Sequence, residues 1–172
     1  MCFALRSYGG SAKRRYGMRR EHFTLDVSNV DWVETDGEPA KPSVSIDFTG
    51  PATDLRERLT GSDGDVLEAS ETDAALRLQG PLGKDTDGVV SLANRTTGEF
   101  LLELNEDADN VLRFIRAARG YGEDKTDDGR YEIEILFDGE EFIRYDKETF
   151  LVYDEDGNLL RQHSLIPSGI EL

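Results

Sequence analysis

Period-2 alternation of apolar and polar residues recurs along the chain. Phe23, Leu25 and Val27, then Val44, Ile46 and Phe48, then Phe100, Leu102 and Leu104 each place three apolar side chains on one side of an extended segment. Tyr131, Ile133, Ile135 and Phe137 continue the pattern, with Glu132 and Glu134 facing the other way. Each run predicts a strand with one dry face. Asp-Gly pairs at Asp36, Asp63, Asp87, Asp128, Asp138 and Asp156 punctuate the runs, and such pairs favour tight turns because glycine takes positive φ without steric cost. That punctuation predicts antiparallel sheet.

Two segments break the period. Asn105 is placed to cap a helix through EDADNVLRFIRAARG, where Ala108, Val111, Phe114, Ile115 and Ala118 gather on one face and Gly120 offers a stop. A shorter helix is expected from about Ala52 to Leu59, with Leu55 and Leu59 one turn apart. Offsetting IDFTGPATDLRERL by 56 residues lays it over LELNEDADNVLRFI and matches Ile46 to Leu102, Phe48 to Leu104, Ala52 to Ala108, Leu55 to Val111 and Leu59 to Ile115. VSLANRTTGEFLLEL and TFLVYDEDGNLLRQHSL then read as hairpins with Gly98 and Gly157 in comparable turns. The fold class is α+β: mainly antiparallel sheet of eight or more short strands, with two helices on one side and a weak internal β-α-β repeat. The alternative to a repeat is that any two strand-helix units of such a domain would align this well.

At 172 residues and 19.2 kDa the chain fits one domain, or two small halves sharing a core, and folding at this size buries roughly 70% of the unfolded surface. The lone Cys2 has no partner within the chain, and no run approaches the ~20 apolar residues of a membrane helix. A cytoplasmic, reducing location is the expectation. Charge sharpens it: 36 Asp and Glu stand against 20 Lys and Arg, of which only 5 are Lys, for a net charge of -16. Self-repulsion of that size is costly in dilute buffer. In molar salt the Debye length falls to about 3 Å, so the repulsion is screened while the carboxylates keep the surface hydrated. This points to a salt-in cytoplasm such as that of halophilic archaea. An acidic disordered chain is excluded by the ordered apolar alternation.

Residues 1–20 carry six basic residues and no acid, whereas 21–172 carry 14 basic against 36 acidic. The first 20 therefore read as a leader, disordered or spurious, before a single acidic domain at 21–172, with Met18 the alternative start. A nucleic-acid-binding arm is the competing reading. An arm neutralising about six phosphates loses roughly 10⁵ in affinity per tenfold rise in salt, which makes it a poor anchor in molar salt. No apolar central region follows the charges, so a secretory signal is not indicated.

Candidate chemistry is sparse. Laying an EF-hand loop on VYDEDGNLLRQH puts Gly157 at the sixth position and Asp154, Asp156 and Asn158 at positions 3, 5 and 7, but Val152 and His163 stand where the first carboxylate and the bidentate glutamate belong. A hairpin turn with a solvated acidic tip is expected, with no metal and no cofactor. His22 alternates away from Phe23 and Leu25. His163 follows Arg161 in an expected late strand and adjoins Ser164, whose side chain would point to the opposite face, so the pair does not form a nucleophile and base. The chain has no GxxxxGK[ST], HExxH or CxxC. Arg113, Arg116 and Arg119 are three arginines within seven residues of the long helix, on the arc away from Val111, Phe114 and Ala118. They either neutralise the chain's own acids or, with Arg161 and His163, bind an anion or a partner.

MRREHFTLDVSNVDW, ADNVLRFIRAARGYG and TFLVYDEDGNLLRQHSLIPSG resemble segments of a family of short haloarchaeal proteins of unknown function, over Met18 to Leu172. The resemblance implies a halophilic source and a start near MRR, and carries no activity or site residue with it. The expected function is a non-catalytic interaction or regulatory module with an unknown protein partner, without nucleic acid or membrane. The alternative is a small enzyme or phosphate or anion binder using the arginine helix. An apolar pocket with convergent polar groups would favour the alternative, and an apolar patch on a sheet the first.

Overall fold

The computed structural model of the chain describes residues 22–82, 86–124 and 130–166. The leader and the Asp128 turn lie outside them. In chain order the elements are β1 (Phe23–Ser28), α1 (Trp32–Thr35), β2 (Ser43–Phe48), α2 (Ala52–Arg58), a 3-10 turn (Ala69–Glu71), β3 (Thr72–Leu78), β4 (Asp87–Asn94), β5 (Phe100–Asp107), α3 (Ala108–Asp124), β6 (Tyr131–Phe137), β7 (Glu140–Lys147), β8 (Leu151–Tyr153) and a 3-10 turn (Arg161–His163). The class is α+β.

The strands form two four-stranded sheets rather than one. The first has order β1-β2-β6-β7 and the second β5-β4-β3-β8. β1 with β2, β3 with β4, β4 with β5 and β6 with β7 pair antiparallel, while β2 with β6 and β3 with β8 pair parallel. A parallel pair needs a long crossover. Here the β2–β6 crossover contains α2, three strands of the second sheet and α3, so the two sheets are threaded through each other and share one core.

The inward positions follow the alternation. Leu25, Ile46, Phe48, Ile133 and Ile135 on the first sheet, and Ala74, Leu76, Leu92, Leu104 and Val152 on the second, are buried in one cluster with Val111, Phe114, Ile115 and Ala118 of α3. Phe114 meets the Tyr131 ring edge-on at 5.2 Å and the Phe150 ring at 6.2 Å, joining α3 to β6 and to the approach to β8. The Tyr131 hydroxyl donates to Thr149 O at 2.6 Å, so this buried aromatic leaves no polar atom unpaired. A bulge opposite Leu92 and Ala93 lets both Leu101 and Leu102 turn inward, which strict alternation forbids.

Several expectations are corrected. Asn105 lies within β5 and does not cap α3; Asp107 Oδ1 accepts the Asp109 N–H instead, at 3.0 Å. Gly120 does not stop α3, which runs on to Asp124. A Cβ at Gly120 would sit 3.5 Å from the Trp32 indole, an ordinary van der Waals distance, so the ring packs over this turn of the continuing helix. Asp87-Gly88 is inside β4 rather than a turn, and a Cβ at Gly88 would approach Leu76 Cδ1 to 2.5 Å. The Asp138-Gly139 turn is as expected, with both residues at positive φ (49° and 85°), the signature of a tight hairpin. His163 sits in a 3-10 turn and not in a strand, because Ser164 Oγ donates to Leu160 O and accepts the Val152 N–H, curling the segment back.

The 56-residue offset has a local counterpart: α2 and α3 begin at Ala52 and Ala108, and Leu55, Leu59, Val111 and Ile115 are all buried. Sheet position does not repeat. β2 is interior with β6 beyond it, whereas β5 is an edge strand.

Candidate functional site

The three helix arginines do not form one face. Arg113 reaches α1, pairing with Asp31 and with Glu34 at 2.5 Å, and these acids hold its guanidinium above its ordinary pKa. Arg119 reaches the other way and donates to Ser164 O at 2.8 Å and Gln162 O at 3.3 Å, securing the second 3-10 turn. Arg116 is exposed between them. Arg161 and His163 line an open depression of about 440 Å³ with Leu159, Leu160 and Gln162. Arg119, Arg161 and His163 are thus brought to one turn, while Arg113 is committed elsewhere.

The Asp154 turn is self-contained. Asp154 Oδ1 accepts the N–H groups of Asp156 (2.9 Å) and Asn158 (2.8 Å), and Oδ2 accepts the Asn158 amide at 3.2 Å. Those donors, led by the Asn158 backbone, hold its carboxyl below the usual range. The oxygens that an EF-hand would turn toward a cation are aimed at the loop's own backbone. Replacing Asp154 and Asp156 together with Ala should leave the calcium response of the melting temperature unchanged. Micromolar calcium binding that disappears in the double variant would contradict this. Ser164, 3% exposed and hydrogen-bonded both ways, is a structural hydroxyl rather than a nucleophile.

The inward side of β7 carries an unusual pair. The Tyr145 hydroxyl donates to Leu67 O at 2.7 Å, and Lys147 Nζ donates to Ala69 O at 2.7 Å and Thr72 O at 2.5 Å. They tie the edge of the first sheet to the segment leading into β3. Burial, reinforced by Arg95 and opposed by Asp73, pushes the Lys147 ammonium down to about 8. Burial raises Tyr145 to about 12 and Tyr131 well above its ordinary value. The folded lysine releases its proton before the unfolded one, at about 10.4, so stability should rise between about pH 8 and 10. Above about pH 10 unfolded tyrosines ionise while the buried ones resist, and stability should fall. Urea unfolding across this range checks the sign, and Lys147→Met should remove the rise. A wild-type stability that declines steadily from pH 8 would contradict it.

The outer faces of the two sheets differ in kind. On the first, the rows Ser28-Ser43-Glu132-Asp146, Asp26-Ser45-Glu134-Arg144 and Thr24-Asp47-Leu136-Glu141 run across the strands. Six carboxylates there face Arg144, held by Glu134 and Glu141 at 2.6 Å each, and Lys41, held by Asp146. On the second, the rows are Phe100-Ala93-Asp73, Glu103-Ser91-Ala75-Leu151, Asn105-Val89-Arg77-Tyr153 and Asp107-Asp87. Asp73 is paired with Arg95 at 2.8 Å, the Asp87-Asp107 row adds two exposed carboxylates at one end, and the middle is the half-buried Ala75, Ser91 and Ala93 beside the buried Val89. Phe100, at the corner, is 51% exposed. For a chain one-third charged, an outward sheet face with an uncharged centre is the anomaly. Sequence reading missed it because Ala and Val stand on both sides of β3 and β4, leaving little contrast between inward and outward positions.

Between the sheets lies an internal space of only about 10 Å³, walled by Leu25, Val44, Ile46, Leu102 and Val111 among others, with no ionisable side chain. It is about the size of one water and too small for a ligand. No described helix is long and apolar enough to cross a membrane.

Neither the curated proteins nor the solved structures contain a match to this chain. A family of unknown function, DUF5793, matches residues 18–172, and the chain belongs to that family.

Proposed function

We propose that the chain is a non-catalytic interaction or regulatory module of a salt-rich haloarchaeal cytoplasm, and that it meets its protein partner through the outer face of the second sheet. The observation that carries this reading is the uncharged middle of that face, Ala75, Ser91 and Ala93, on a chain of net charge -16. Desolvating small apolar and hydroxyl groups is inexpensive, whereas covering the first sheet would strip water from six carboxylates. The anion-binding alternative keeps one specific support, the depression beside Arg161 and His163.

The test is capture from lysate held at 2 M KCl throughout. Ala75→Arg, in the middle of the second sheet's outer face, should lose the captured proteins while its melting temperature stays close to that of the wild type. Thr24→Arg, on the outer face of the first sheet, should retain them. Capture unaffected by Ala75→Arg would remove this face from consideration, and its loss on Arg161→Gln instead would promote the depression.

A further inference from the structure

We infer that residues 68–71 form a pH-sensitive strap latched by Lys147 to the inner side of β7, opening more readily while the lysine carries its proton and held shut once the lysine is neutral. The inference does not depend on which sheet face meets a partner.

Little except polar contact holds the strap down. It runs between two buried ends, Leu67 and Thr72, yet Glu68, Ser70 and Glu71 are exposed and Ala69 is half-buried. Segments with few buried apolar contacts are the ones that open locally while the rest stays folded. Lys147 is what ties this one to the first sheet, its Nζ donating to Ala69 O and Thr72 O, while the Tyr145 hydroxyl holds Leu67 O just before the strap. Glu68 and Glu71 cap the strap's own N–H groups, and the N–H of Arg95, the residue after β4, donates to Glu71 O at 2.8 Å. The closed strap therefore joins the first sheet to the second.

The chemistry of the latch sets the direction of its response. Lys147 is 5% exposed, and among the described residues no carboxylate lies within 4 Å of its Nζ. The charged groups that act on it are Arg95 and Asp73, which are bound to each other at 2.8 Å and largely cancel. Tyr131, opposite on β6, and Tyr145, two residues earlier on β7 and facing Glu71, are kept neutral by burial through the range concerned. An ammonium has three N–H donors and finds two carbonyls here, whereas a neutral amine has two donors for the same two carbonyls. An enclosed charge without a counter-ion gains by reaching water, so the open strap holds the proton more tightly than the closed one. With the closed lysine titrating at about 8 and a solvated one at about 10.4, the opening constant should be level below about pH 8 and then fall about tenfold per pH unit toward pH 10.

Amide hydrogen exchange from about pH 6.5 to 9.5 in 2 M KCl tests this. Chemical exchange of an open amide speeds up about tenfold per pH unit, so exchange at Glu71 and Arg95 should climb to about pH 8 and then level off. The Asn158 amide, held by Asp154 in a turn whose opening leaves Lys147 in place, should keep climbing. In Lys147→Met, uncharged at every pH used, and in Lys147→Arg, charged at every pH used, the levelling should disappear. Two variants are used so that a folding defect in one does not decide the matter. Wild-type exchange at Glu71 and Arg95 that climbs throughout overturns the inference. So does a levelling that persists in both variants, since it would then report the rate of opening and not a proton. Exchange at Glu71 and Arg95 no faster than at the core residues Leu92 and Phe114 at about pH 7 also overturns it, because the strap would then open only with the whole domain.

Discussion

Phe114→Ala should lower the unfolding free energy by about 3–5 kcal/mol, the cost expected for emptying a fully buried aromatic site. Phe114 is 0% exposed and lies where α3 meets both Tyr131 of β6 and Phe150 before β8. Its removal takes away contacts to the first sheet and to the edge of the second at once. The edge-on contact with Tyr131 adds about 0.5–1.5 kcal/mol to the simple burial of apolar area. No hydrogen bond is broken, because the Tyr131 hydroxyl still reaches Thr149 O, so the loss is one of packing. Surrounding side chains have little freedom to collapse into the hole: Ile115, Ala117 and Ala118 are fixed on the same helix, and Tyr131 is held at its hydroxyl. A domain of ordinary stability, about 5–15 kcal/mol, would be left marginal. Urea unfolding in 2 M KCl measures it, with the slope of the transition unchanged. A loss under 1 kcal/mol would mean that α3 does not sit in the core as described.

The melting temperature should rise steeply between about 0.1 and 2 M KCl. Salt acts in two directions. It weakens attractive pairs such as Arg113 with Asp31 and Glu34, which are exposed and contribute little. It also screens repulsion among 36 carboxylates against 20 bases, and this term is larger because the excess is spread over the whole surface. Glu132, Glu134 and Asp146 stand on neighbouring strands of one face, separated by distances that lie inside the Debye length of about 10 Å at 0.1 M and outside the 3 Å length at 1 M. Arg144 relieves only part of this crowding, being shared among Glu132, Glu134 and Glu141. Sucrose, which favours compact states without screening charge, should give a much smaller rise at low salt. A melting temperature flat in KCl would show that the acidic surface imposes no self-repulsion worth screening.

The sequence was most legible where one side of a strand was apolar and the other charged. The runs at Phe23, Val44, Phe100 and Tyr131 all became strands, and the segments around Leu55 and Val111 became helices. Boundaries failed where tertiary contacts decide them. Asn105 is a good cap by type, but β5 continues past it because β4 pairs as far as Asp107, and Gly120 is a good stop by type but lies under Trp32. The division into two sheets was not legible, since it depends on β2 finding β6 across most of the chain, and alternation says nothing about partners. The candidate site was the least legible part. Basic residues drew attention to α3 because they are scarce, yet Arg113 and Arg119 hold neighbouring segments in place. The second sheet's outer face was hidden by the opposite circumstance, Ala75, Ser91 and Ala93 carrying no chemical signal until register placed them side by side.

Carbene footprinting in 2 M KCl, comparing the purified chain at high dilution with the same chain in concentrated lysate, addresses the claimed contact surface most directly. Phe100, Leu151 and Tyr153 stand on the outer face of the second sheet, and Phe137 and Phe142, stacked 4.7 Å apart beneath Arg56, serve as an internal reference on the β6–β7 hairpin. The account predicts that labelling of Phe100, Leu151 and Tyr153 falls several-fold in lysate while that of Phe137 and Phe142 is unchanged. Equal labelling of the second sheet's face in both conditions, with protection appearing on the first sheet or at Leu159 to His163, would contradict it.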